Sequence, residues 1–104
     1  AVNQTGDALR YASKDLRAVK KVVLAAVYIN GRSLKYASED LRADKDVVLA
    51  AVHQNGLSLQ YASKNPRNDK EVVLSAVRQN KRAFWCASGD RRAELQRTPW
   101  LWKN

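Results

Sequence analysis

The sequence predicts an all-α fold, an α-solenoid of three to four stacked helical hairpins, and three observations point to it. The apolar hexad Val22-Val-Leu-Ala-Ala-Val27 returns at residues 47–52 and, with one Ser, at residues 72–77, a spacing of 25 residues. Asn30, Asn55 and Asn80 follow the three copies at one interval, and Gly31 and Gly56 follow the first two. Two of the copies are preceded by Asp44 and Asp69, residues that start helices. A fixed period of this length marks a repeat architecture, in which no unit buries its apolar face without a neighbour.

The first residues, Ala1-Val-Asn-Gln-Thr-Gly6, match Ala51-Val-His-Gln-Asn-Gly56. Residues 1–6 are therefore expected to be the end of a partial repeat, and the chain a fragment of a longer array or the ordered part of a longer chain. The absence of Met points the same way, to a chain processed, excised or partial.

In the first full unit, residues 7–31, Leu9, Ala12, Ser13 and Leu16 fall at i, i+3, i+4 and i+7, one face of an α-helix. The second unit, 32–56, repeats the pattern with Leu34, Ala37, Ser38 and Leu41. Ser33 and Ser58 stand before these front helices as expected N-caps. The back half of each unit is the Val-rich helix, with Asp44 or Asp69 as N-cap and Asp46 or Glu71 in the first turn, where the helix dipole favours an anion. Gly31 and Gly56 are expected to end it in the left-handed conformation. Apolar at six successive positions, this helix is expected to be the buried member, with Leu49 in the core.

The regularity breaks in particular places. Val19-Lys-Lys21 replaces Asp-Lys-Asp, leaving the first Val-rich helix uncapped. In the third unit, 57–81, Pro66 replaces Leu16 and Leu41, which predicts an early end to that front helix. The last segment, 82–104, keeps Ala87-Ser88 but has Cys86 for Tyr, and Pro99 where Leu24, Leu49 and Leu74 stand. It reads as a degenerate repeat closing in an irregular, Trp-rich C-terminal cap. Helices of about 10 residues do not persist alone in water, so stability is expected from stacking.

The formal charge is +9 and the pI near 10.1, a balance that favours acidic partners. Cys86 is the single cysteine, which excludes an intramolecular disulfide and a secreted disulfide scaffold. The longest apolar run, residues 22–29, is far short of the roughly 20 residues that span a bilayer. No signal peptide precedes it, and an intracellular location is expected. No Gly-rich phosphate loop, metal-ligand spacing or nucleophile elbow occurs. The chain is therefore expected not to be an enzyme, with no catalytic, cofactor-binding or metal-binding residue and no cofactor.

Candidate partner-binding residues come from the repeat register. Arg17, Arg42, Arg67 and Arg92 share one position, and Lys20, Lys45 and Lys70 another. Stacked helices lie about 8–10 Å apart, so each set becomes a ladder. Such a ladder could track an acidic partner or successive phosphates. Its plainer reading is a solvated edge on which each Arg pairs with Asp15, Asp40 or Asp90, or with a helix C-terminus. No aromatics interleave in sequence as a single-stranded nucleic-acid groove would want. Tyr11, Tyr36 and Tyr61 form a third ladder, read as ordinary core edge. His53 sits where Tyr28 and Arg78 sit, an exposed position. Trp85 is expected to be buried against the last complete repeat, and Trp100 or Trp102 to contact a partner as interface anchors do.

Tyr36-Ala-Ser38, Leu41-Arg42, Asp44, the hexad at 47–52 and Gln54-Asn-Gly56 together resemble a family of short helical repeats of unknown function. That family is expanded in algae and other protists, dinoflagellates especially, and also occurs in some bacterial effectors. The resemblance runs to about Ala93 and implies a helical repeat fold, with no activity, cofactor or site residue attached. The function expected is a non-catalytic protein-interaction scaffold or accessory subunit of a larger assembly, with a partner of acidic surface. The algal distribution implies a peripheral subunit of a plastid photosynthetic complex as the specific candidate. The competing expectation is weak, non-specific nucleic-acid binding through the basic ladders.

Overall fold

The computed structural model describes residues 9–98; the partial repeat at 1–6 and Pro99, Trp100 and Trp102 lie outside them. Among the described residues every regular element is helical and none is a strand. The Val-rich helices are α1 (Lys20–Ile29), α3 (Lys45–Gln54) and α5 (Lys70–Gln79), each of 10 residues. Short helices α2 (Glu39–Arg42) and α4 (Lys64–Asn68) precede the second and third, and α6 (Gly89–Arg97) is the last. Residues 9–11 are also α-helical, and four 3-10 segments lie among the described residues: η1 (Leu16–Ala18), η2 (Gly31–Tyr36), η3 (Gly56–Tyr61) and η4 (Lys81–Cys86). Like packs on like: α1 on α3 and α3 on α5, η2 on η3 and η3 on η4, α4 on α6.

The Val-rich helices are the buried row. Val47, Val48, Ala51 and Val52 of α3 are fully enclosed, and so are Val72, Val73, Ala76 and Val77 at the same positions of α5, which the 3-10 segments η3 and η4 flank. Leu49 departs from the expectation; it is only partly buried, against the flank of the core. Asp44 and Asp69 cap α3 and α5 as expected, each Oδ1 accepting two N–H groups of the first turn. α1 begins at Val19 with no side-chain cap.

The front half of each unit is not one α-helix. Its i, i+3 spacing is that of a 3-10 segment, and Ala37 and Ser38 are extended, with ψ of 158° and 159°. The break has a physical cause in the neighbouring unit. The Ser38 N–H donates to the Arg17 carbonyl, Ser63 to Arg42 and Ser88 to Arg67, each at 2.9 Å, which no continuous helix permits. The N-cap is therefore Ser38, whose Oγ accepts the Leu41 N–H, while Ser33 and Ser58 are buried inside the 3-10 segments. Asn30, Asn55 and Asn80 start those segments, each Oδ1 accepting the N–H two residues on. Pro66 does not shorten its helix. It occupies the first turn of α4, where a missing N–H breaks no helical bond. Its cost is local: Ser63 has no N–H three residues on and makes no cap bond.

Gly31 and Gly56 also act differently from expectation, since no glycine among the described residues has a positive φ. What they supply is space. A Cβ on Gly31 would stand 2.5 Å from the Ala51 carbonyl oxygen and 2.7 Å from Ser58 Oγ, and one on Gly56 would overlap the Ala76 carbonyl oxygen. Lys81, at the same position, is exposed, and no further Val-rich copy follows it in the sequence.

Ion pairs cross each junction as well. Lys20 Nζ lies 3.1 Å from Asp44 and 3.3 Å from Asp46, and Lys45 lies 3.2 Å from Asp69 and 2.8 Å from Glu71. Lys70 reaches Glu94 at 3.9 Å. Glu94 stands in the register of the capping Asp residues but does not start a helix; α6 runs through it, and Leu95 behind it is 1 % exposed. Burial alone would raise the Asp69 carboxyl, but the Val72 N–H, the Lys45 ammonium and the Glu71 N–H outweigh it and hold it below the ordinary carboxylate range. Hydrogen bonds to Glu71 and Asp69 raise Lys45.

Two sets of variants test this account. Gly56→Ala should destabilise by about 1–3 kcal/mol, as overpacking does. Gly89→Ala, with nothing within 4 Å of its Cβ, should be neutral or gain up to about 1 kcal/mol. Urea melts giving the opposite order would contradict the close-approach role. Asp69→Asn retains an acceptor for the cap and loses the charge, so it should cost less than about 1 kcal/mol and less still in high salt. Asp69→Ala loses both and should cost about 0.5–2 kcal/mol. Because the folded carboxyl value is lowered, the charge contributes fully above the unfolded value of about 3.9 and is lost as pH falls through the folded one. The gap between wild type and Asp69→Asn should close over that window.

Candidate partner-binding surface

The two basic ladders separate in the structure. Lys20, Lys45 and Lys70 are tied to carboxylates of the following unit and hold the stack together. The other row, Arg17 in η1, Arg42 ending α2, Arg67 in α4 and Arg92 in α6, is half-buried. All four Nε atoms are buried and lack a hydrogen-bond partner. None of the four guanidiniums forms an ion pair among the described residues, so pairing with Asp15, Asp40 or Asp90 is not found, whereas Arg17, Arg42 and Arg67 do lie in the last turn of their helices. The main chain explains where the row sits. Each of Arg17, Arg42 and Arg67 gives its carbonyl to the next unit's Ser, which fixes these three residues at the junctions.

Aromatic rings stand beside exposed cations, and at Trp85 beside a member of the Arg row. Tyr36 and Tyr61 are half-buried, and Lys35 Nζ stands 5.0 Å from the first ring centroid and 5.8 Å from the second. Arg10 lies over Tyr11 at 5.2 Å, and Arg92 over Trp85 at 5.9 Å. Trp85, expected to be buried against the last complete repeat, is instead 69 % exposed. Phe84 takes the core position of Leu34 and Leu59, and Trp85 takes that of Arg10, Lys35 and Gln60. That register was the signal available in the sequence. The rings of Phe84 and Trp85 meet edge to face at 5.0 Å. Interleaving of cations and aromatics, missing from the linear sequence, is thus created by stacking.

Cys86 replaces Tyr in this row. Burial pushes its thiol up and Arg67 nearby offsets part of that, an arrangement that does not favour a thiolate nucleophile. His53 is exposed, and its carbonyl accepts from Gln79. Among the described residues no group of His, Cys, Asp and Glu is placed to hold a metal ion, and no helix is long and apolar enough to cross a membrane. Trp100 and Trp102, the other candidate anchors, lie outside the described residues.

No curated protein and no solved structure matches the chain. One family model does, twice and in overlapping register, over residues 20–67 and 44–91. The offset between the two matches is close to the sequence period, and their union covers α1 through the start of α6. The chain therefore belongs to the family of the domain of unknown function DUF4116.

Proposed function

We propose that the protein is a non-catalytic interaction module whose basic, aromatic-bearing surface receives an acidic protein partner. The observation that carries this reading is the contrast between the two ladders. Among the described residues every Lys of the one is met by a carboxylate, whereas no Arg of the other is. A half-buried guanidinium that lacks a counter-charge is electrostatically incomplete, and a partner's carboxylates complete it with bidentate geometry. The exposed Trp85 supplies the kind of aromatic anchor that interfaces use. An accessory role in a larger assembly fits a module of this size, and a plastid complex is supported by the algal resemblance alone.

A second reading, single-stranded nucleic-acid binding, is favoured by one observation: the cations over Tyr11, Tyr36 and Trp85. Charge alone would give non-specific affinities of about 10⁻⁴–10⁻⁶ M at physiological salt.

Affinity capture from source extract, with and without nuclease, distinguishes the two readings. The wild-type chain should retain a protein after nuclease treatment. A variant with Arg42→Gln and Arg67→Gln, shown by circular dichroism to be folded, should lose it. Each Arg removed from a hot position should weaken association by at least about 1 kcal/mol. Retention of the same protein by the variant would sink the proposal, and nanomolar, sequence-dependent oligonucleotide binding would put the second reading first.

A further inference from the structure

Beside η2 a cavity of about 250 Å³ is lined by Arg10, Asn30, Arg32, Ser33, Lys35 and Tyr36. Three of these residues are cations, and among the described residues no carboxylate or imidazole lines the wall. None of the three forms a salt bridge among the described residues, in contrast to Lys20, Lys45, Lys70 and Arg91. The fold fixes the frame. Asn30 is pinned by its own N–H, bonded to the Ala26 carbonyl, and by its Oδ1, which accepts the Arg32 N–H at 3.1 Å. Ser33 is buried to 1 % exposure, and the rings of Tyr36 and Tyr61 lie beneath the Lys35 ammonium.

The cluster is not a by-product of the repeat. One unit on, the positions of Arg10, Arg32 and Lys35 hold Lys35, Leu57 and Gln60; two units on, they hold Gln60, Arg82 and Trp85. The triad of cations is thus particular to this junction. Like charges gathered in a concavity repel one another and focus positive potential there, and a compact, multiply charged oxyanion relieves both. A carboxylate brings a single charge. A phosphate monoester brings about −1.5 to −2 and three acceptor oxygens, one for each cation. The volume lies below the roughly 300–1,000 Å³ of pockets for drug-sized ligands, which limits the organic portion to a small group.

We infer that this cavity binds a phosphate monoester, carried either by a small metabolite or by a phosphorylated side chain. The inference uses none of Arg17, Arg42, Arg67 and Arg92 and stands whether or not that row binds protein.

The test is a titration of the full chain at constant ionic strength, followed by amide chemical shifts. The probes are inorganic phosphate, O-phosphoserine and a short phosphoserine peptide, with chloride as the control anion. Phosphate and phosphoserine should shift the amides of residues 30–36 saturably. Arg32→Gln and Lys35→Gln should each weaken binding about tenfold or more, the loss of one charged hydrogen bond. Lys64→Gln, exposed and away from the cavity, should bind as wild type does. Affinity should fall between about pH 7.5 and about pH 5, as the ligand takes up its second proton near pH 6. A phosphopeptide that binds more tightly than phosphoserine identifies a protein source, and equal binding identifies a metabolite. Unsaturable shifts, shifts reproduced by chloride, or unchanged binding by Arg32→Gln and Lys35→Gln would overturn the assignment.

Discussion

At Gly31 and Gly56 the main chain of one unit lies against the Ala51 and Ala76 carbonyls of the next, with no room for a methyl group between them. This close approach sets the distance between layers, and the other junction contacts depend on it. The Ser N–H reaches the preceding Arg carbonyl at 2.9 Å at all three junctions. The Lys ammonium reaches the next unit's capping carboxylate at the first two junctions within 3.2 Å. At the third, where Lys81 has replaced glycine and Glu94 the Asp, the corresponding pair is looser at 3.9 Å. Small residues in the hexads serve the same end, because Val and Ala let neighbouring helices come close while keeping the row dry.

Two consequences follow for the surface. Asp44, Asp46, Asp69, Glu71 and Glu94 lie at the junctions as Lys partners, and among the described residues no ion pair reaches the Arg row or the Arg10, Arg32 and Lys35 cluster. The net charge of +9 is therefore not spread evenly over function and scaffold. Fold stability uses the balanced part, and the unbalanced part faces outward beside Tyr and Trp rings.

Much of the architecture was legible in the sequence. The period, the Val-rich helices and the Asp44 and Asp69 caps all follow from local chemistry, and local chemistry is what a linear pattern records. The front half was misread because i, i+3 spacing serves a 3-10 segment as well as an α-helix, and the break at Ala37-Ser38 is imposed by a bond from another unit. Glycine at a helix end suggests a left-handed cap, yet here it answers to a carbonyl 20 residues away in sequence, Gly31 to Ala51. Pairing of Lys45 with Asp69 and the gathering of Arg10 with Arg32 and Lys35 likewise exist only once units stack. Trp85 was the exception; its register with Lys35 and Gln60 already marked it as exposed.

The central claim is that each unit is held by its neighbours and not by its own helices. Far-ultraviolet circular dichroism of residues 32–56 alone, beside the 104-residue chain, tests it most directly. Helices of 10 residues or fewer are marginal in isolation, so the single unit should be largely unfolded and melt without cooperativity while the whole chain is helical. A single unit with a helical spectrum and a sigmoidal melt would contradict the account.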